Sequence, residues 1–264
     1  VNAGRTHPLI ALAGLVTLIV LLAPLAIVVA ISFTSSSMLT FPPDGFSLRW
    51  YERLLHHPEL LHAMATSLEL AAAAAAASML LGTSAAVGLR QARFPGRGLI
   101  EAFLLSPLML PQLVLALALL MYLSRLGLRA SFVGLWLAHV LIATPYVIRM
   151  VLVSLERLDP NIERAARIAG AGPLRVFFRV TLRLLMPGVA AGTCVAFIMS
   201  FDNLVLSLFL TGARMKTLPV EIYGYLEYAD DPLLAAVSTV VIVGTIALLC
   251  LMEKLLGFTK VMAE

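Results

Sequence analysis

Charge is what this sequence has least of. Only 13% of its 264 residues are Asp, Glu, Lys or Arg, where a soluble domain carries about a quarter. Apolar residues make up 61%, and the mean hydropathy is +0.97. This scarcity of charge excludes a single soluble globule. The apolar excess excludes a disordered chain, which needs the opposite balance. Cysteine is nearly absent: Cys194 and Cys250 lie inside apolar runs, without metal-ligand spacing or the clusters of a disulfide framework. Both are expected as buried small hydrophobes. The lysines are Lys216, Lys254 and Lys260, and none closes a G-x-x-x-x-G-K-[ST] phosphate loop. The chain therefore has no nucleotide site of that kind. The apolar runs do not alternate with polar residues, which argues against a membrane β-barrel.

What is present is a set of long apolar runs. An apolar helix of about 20 residues crosses a bilayer. Six stretches qualify: 9–33, 66–88, 102–124, 132–153, 187–210 and 232–252. The reading is an all-α polytopic membrane protein, one transmembrane domain over 1–264. Pro107, Pro111 and Pro145 are expected to kink spans three and four. Ala71–Ala77 reads as close helix packing. Loop charges set the orientation. With the N-terminus inside, thirteen of the nineteen Lys and Arg face the cytoplasm, among them Arg5, Arg90, Arg93, Arg97, Lys254 and Lys260. Both termini are then cytoplasmic, and the net charge of +4 is an inner-face excess, not a nucleic-acid footprint.

On the outer side, Phe46–Leu55 places Leu48, Tyr51, Leu54 and Leu55 at helical spacing, so a short amphipathic helix lying at the interface is expected. A second outer loop, Thr211–Asp231, is acidic.

The inner loop of about 154–186 is long, basic and punctuated. Asp159 can cap a helix that starts at Pro160, and Gly170 can supply its left-handed stop. Gly172-Pro173 opens a second helix, Leu174–Met186, expected to end at Pro187.

Glu163-Arg164-Ala165-Ala166-x-x-x-Gly170, then nine residues, then Val180-Thr181-Leu182, resembles the EAA loop of ABC-importer permeases. Arg164 stands where that family has its glutamate, Glu163 lies one position earlier, and Arg183 replaces a proline. Phe46–Tyr51, Ser106-Pro107 with Pro111, His139 with Pro145-Tyr146, Ser200-Phe201-Asp202-Asn203, and Leu210-Thr211-Gly212 with Thr217–Tyr223 extend the likeness over nearly the whole chain. Together they resemble the spermidine/putrescine (PotC-like) permease family. Opine, aminoethylphosphonate and ferric-ion importers are similar in the span-five region.

The resemblance implies a type I ABC-importer permease fold and a bacterial inner-membrane location. It implies a second permease subunit, as a heterodimer, two ATPase subunits that bind ATP and Mg, and a substrate-binding protein outside. This chain then carries no cofactor, no metal site and no catalytic residue of its own. Glu163, Arg164, Ala165, Ala166, Gly170 and Leu182 become the ATPase-coupling residues. Glu221, Tyr223 and Glu227 form an outer gate or a binding-protein contact, unless the loop is merely solvated.

Asp202 is an acid inside an apolar span. Burying it is costly, so it is expected to face a cavity or a partner. With Ser200 and Asn203 it is the candidate lining of a cation pathway; Asn203 or His139 holding it as a structural partner is the alternative. His139 itself is expected to be a satisfied core histidine. Glu69 and Glu101, near span ends, and Arg149, which snorkels, are given no transport role. Two other classes remain open on residues alone: an ion-coupled carrier using Asp202, and an intramembrane serine protease built on Ser84 and His139.

Overall fold

The computed structural model describes residues 8–91 and 95–256. Arg5, Arg93 and Lys260, three of the bases that set the orientation, lie outside the described residues. In chain order the helices are α1 (Pro8–Ser32), α2 (Arg49–Leu55), α3 (Pro58–Gln91), α4 (Arg97–Leu105), α5 (Gln112–Arg125), α6 (Phe132–Glu156), α7 (Pro160–Ile168), α8 (Pro173–Val176), α9 (Leu182–Phe201), α10 (Leu204–Leu210), α11 (Leu218–Leu226) and α12 (Leu233–Leu256). Five segments are long and apolar enough to cross a membrane, and a sixth forms if α4 and α5 count as one bent span.

By its internal contacts the chain divides into two units. One holds α1, α2 and the first part of α12. α1 is apolar around its whole circumference, and its described side chains are mostly exposed. Such a helix is solvated by lipid or by another chain, not by its own core. α2 is helical where expected, but its buried face is Trp50 and Leu54. Leu48 and Leu55 are 59% and 69% exposed. Polar bonds anchor the buried side. The Trp50 indole N–H donates to the Thr34 carbonyl at 3.0 Å, and Tyr51 and Ser32 share a hydroxyl–hydroxyl bond of 2.7 Å.

The other unit holds most of α3 and all of α4 to α10. Its spine is the pairing of α6 with α9. Val147, Ile148, Val151 and Leu155 of α6 bury against Leu185, Val189 and Ala196 of α9, with Ala75 and Ala86 of α3 completing the cluster. Gly188 and Gly192 allow this close approach. A Cβ on Gly192 would lie 2.9 Å from the Val147 Cα, and one on Gly188 would collide with the Ser154 side chain. Small residues four apart bring two helix backbones together in this way. A second cluster joins Leu115, Ala116 and Leu123 of α5 to Leu135, Ala138 and Ile142 of α6 and to Leu206 and Leu210 of α10.

The prolines behave unequally. Span three is not one rod: α4 and α5 meet at 97° across the turn that follows Ser106–Leu108. Pro111 there lacks an N–H and pushes its predecessor out of the α region. Pro145 and Pro187 instead sit inside unbroken helices, where packing of α6 on α9 outweighs the lost bond. The helix from Pro173 therefore does not end at Pro187. It runs on to Phe201 through one π-helical turn, Phe177–Thr181. α3 begins at Pro58, not near Thr66, so Glu69 lies in its interior, exposed, and not near its end. Thr211–Asp231, read as a loop, contains α11. Cys194 is buried, but Cys250 is exposed on α12.

Candidate functional site

Two places collect the residues singled out above. The first is the helical stub α7. Asp159 accepts from the Asn161 N–H at 2.9 Å, and Pro160 occupies the first helical position, so both ends of the start signal are met locally. At the other end Gly170 has φ +85°. Its N–H reaches the Arg167 carbonyl, and the Ala171 N–H reaches the Ala166 carbonyl. That is the paired bonding of a Schellman stop. Leu182 opens α9, half-buried, beyond the π turn.

The carboxylate of Glu163 turns back toward its own chain: Thr181 Oγ donates to Glu163 Oε1 at 2.7 Å. Thr181 is buried and belongs to the π turn, so this bond ties the stub to the base of the α9 span. Arg164 and Ala165 face out, and Ala166 is half-buried. Ile162 and Ile168 are 44% and 87% exposed. Spacing alone did not single out Ile168 or Thr181; Thr181 was visible only as part of the Val-Thr-Leu run.

The second place is the break at the end of the α9 span. α9 stops at Phe201, Asp202 is its C-cap, and α10 restarts at Leu204. Asp202 is thus at a helix junction and not in the middle of a continuous span, and it is exposed. Among the described residues neither Asn203 nor His139 holds it. Asn203 is buried and accepts the Leu206 N–H at 2.9 Å, capping α10. His139, fully buried on α6, bonds Ser200 at 2.8 Å and Ser207 at 3.3 Å. The expected trio therefore separates: Asp202 alone is presented, while Ser200 bonds the His139 ring and Asn203 caps α10. One turn before Asp202, Met199 lines a cavity of about 50 Å³ at the span-three bend with Pro107, Leu110, Gln112, Ile142 and Tyr146.

Ser84 donates to the Leu80 carbonyl of its own helix at 2.7 Å, and His139 is committed elsewhere, so the protease pairing is absent. Arg149 is exposed. Arg90 donates to the Leu155 carbonyl at 2.6 Å and closes the C-terminal end of α6.

Glu221 pairs with Lys216 at 2.9 Å. Tyr223 and Glu227 are exposed. The more connected acid is Asp231, which meets Arg53 at 3.1 Å and accepts from the Tyr225 hydroxyl at 3.0 Å and from the Leu233 N–H at 3.2 Å. Burial, then the bond to Asp231 and its negative charge, push the Tyr225 phenol above its ordinary value, against a smaller opposing pull from Arg53.

Residues 78–256 match the family described as binding-protein-dependent transport system inner membrane component. The chain is 36% identical over 229 residues to the putrescine transport system permease protein PotI of Escherichia coli K12, covering 84% of this chain and 81% of that protein. It is 32% identical over 220 residues to the spermidine/putrescine transport system permease protein PotC of the same strain, covering 83% of each. The fold matches a crystal structure of a bacterial ABC transporter involved in the import of the acidic polysaccharide alginate. There the TM-score is 0.71 at 17% identity, over 96% of this chain and 99% of that one. The carrier and protease readings fall with the family match and these two relatives. The chain is a multi-pass inner-membrane protein and belongs to the inner-membrane components of binding-protein-dependent transport systems, the permease subunits of ABC importers.

Proposed function

We propose that this subunit forms half of the pathway through which a polyamine enters the cell. The observation that carries the cargo is kinship above 30% identity, over more than four-fifths of the chain, with two permeases named for putrescine and spermidine. The chemistry agrees. A polyamine carries spaced ammonium groups, and Asp202 is an exposed carboxylate at a break in a span. A fixed anion in a low-dielectric passage attracts a desolvated ammonium far more strongly than it would in water.

The second permease completes the passage as a heterodimer, and an external binding protein delivers cargo near Glu221, Tyr223 and Glu227. Two ATPase subunits bind ATP and Mg and grip α7. Their closure favours one state of the permease because they hold the stub differently in the two states. The stub moves α9 because Glu163 and Thr181 link the two. Arg164, Ala165, Ala166 and Ile168 form the gripped surface, and Gly170 and Leu182 fix where the stub ends and the span begins. Both termini are cytoplasmic.

The test is ATP turnover by the assembled importer in proteoliposomes. Putrescine or spermidine, with its binding protein, should raise it, and Asp202→Asn should raise the KM for putrescine by about tenfold, the order expected for losing one ion pair at reduced dielectric. Stimulation by ferric ion or an aminoethylphosphonate alone would overturn the cargo. An unchanged KM in Asp202→Asn would remove the carboxylate from the pathway.

A further inference from the structure

The break between α9 and α10 leaves backbone N–H and C=O groups without helical partners. Any of these that is buried is costly if left unpaired. Leu204–Leu210 is a wholly apolar run apart from Ser207, so continuing α9 as one helix is the obvious alternative. Asn203 offsets part of the cost by capping α10, but a cap satisfies only one of the orphaned donors.

His139 is the second device. Its ring is fully buried on α6. One nitrogen meets Ser200, the penultimate residue of α9, and the other meets Ser207 in the middle of α10. Imidazole offers one N–H and one lone pair, and each hydroxyl can take the complementary role, so both bonds form at once. One rigid side chain thus grips the chain on both sides of the break. Asp202 lies between the gripped residues, on the exposed side.

We propose that His139 is a positioning residue that holds the two half-helices apart and thereby presents Asp202 to the passage. Its consequence for transport rests on the pathway reading of Asp202 given above; the pinning itself does not. Without the pin, the backbone gains by closing the break, and residue 202 is drawn into a continuous apolar helix.

The experiment uses the assembled importer in proteoliposomes with Cys194 and Cys250 replaced by alanine. Asp202→Cys is the reporter, and its rate of modification by a water-soluble trimethylammonium-ethyl methanethiosulfonate is measured. Residue 202 should react readily. His139→Leu should slow it by about tenfold, the order expected for losing two interhelical hydrogen bonds. Ser207→Ala should slow it less, and His139→Gln, which still donates and accepts, should restore most of the rate. A second reporter, Glu227→Cys, should not respond to any of these changes.

Equal rates at 202 with and without His139→Leu overturn the proposal, as do equal losses at both reporters or a residue 202 that never reacts. If His139→Leu fails to assemble, Ser207→Ala decides, and an unchanged rate there overturns it. A slowed reporter together with unchanged putrescine KM in Asp202→Asn would leave the pin in place and remove the pathway reading alone.

Discussion

Replacing Thr181 by valine deletes one hydroxyl and keeps the shape of a buried side chain. The hydroxyl donates to Glu163 Oε1 at 2.7 Å, and α7 packs chiefly against α8 and the π turn that contains Thr181. Little else fixes the angle of the stub. A hydrogen bond to a charged acceptor contributes about 1.5–3 kcal/mol. Glu163 is half-exposed and regains water when the bond is lost, so the lower end applies. About 1.4 kcal/mol is a factor of ten in the population of the docked angle. The expected outcome is an importer that still hydrolyses ATP but moves about tenfold less putrescine per ATP. The assay is the ratio of imported putrescine to phosphate released in proteoliposomes. Glu163→Ala should give the same ratio, and the double variant should be no worse than either single one, because both remove the same bond. An unchanged ratio in Thr181→Val refutes the linkage. A loss in Glu163→Ala with none in Thr181→Val would show that the glutamate acts on the ATPase directly.

Gly170→Val places a β-branched residue at φ +85°, costing about 1–2 kcal/mol or more; the end of α7 should fray and the ATPase should co-purify several-fold less well. Gly192→Leu forces a side chain against the Val147 backbone, 2.9 Å from where its Cβ would sit, so the α6–α9 pair should separate and the thermal midpoint of the purified complex should fall. Arg90→Met removes the donor to the Leu155 carbonyl at 2.6 Å and keeps the aliphatic stem; limited proteolysis between residues 157 and 172 should become faster.

The stub was legible because its signals are local. Asp159, Pro160 and Gly170 act on backbone groups within a few residues, and each behaves as spacing implied. The apolar runs were legible as spans for the same reason. The prolines were sorted wrongly: Pro145 was expected to kink a span and Pro187 to end a helix, and only the packing around each decides between a break and an unbroken helix. His139 could be read as satisfied but not as a clamp, because its partners lie 61 and 68 residues away. The burial of Trp50 on α2 was not legible because the carbonyl it donates to, on Thr34, lies 16 residues away. Asp202 was recognised as costly, but its solution, a helix that stops there, needs the neighbouring helix to be seen.

The π-helical turn at Phe177–Thr181 has a consequence for insertions and deletions. It holds one more residue per turn than an α-helix, and each residue rotates a helix by about 100°. The direction in which the cytoplasmic stub points, relative to the span above it, is therefore set by residue count as well as by side chains. Removing a single residue there would turn the stub toward a different quarter of the compass, so homologues of this subunit should hardly vary in length across that turn.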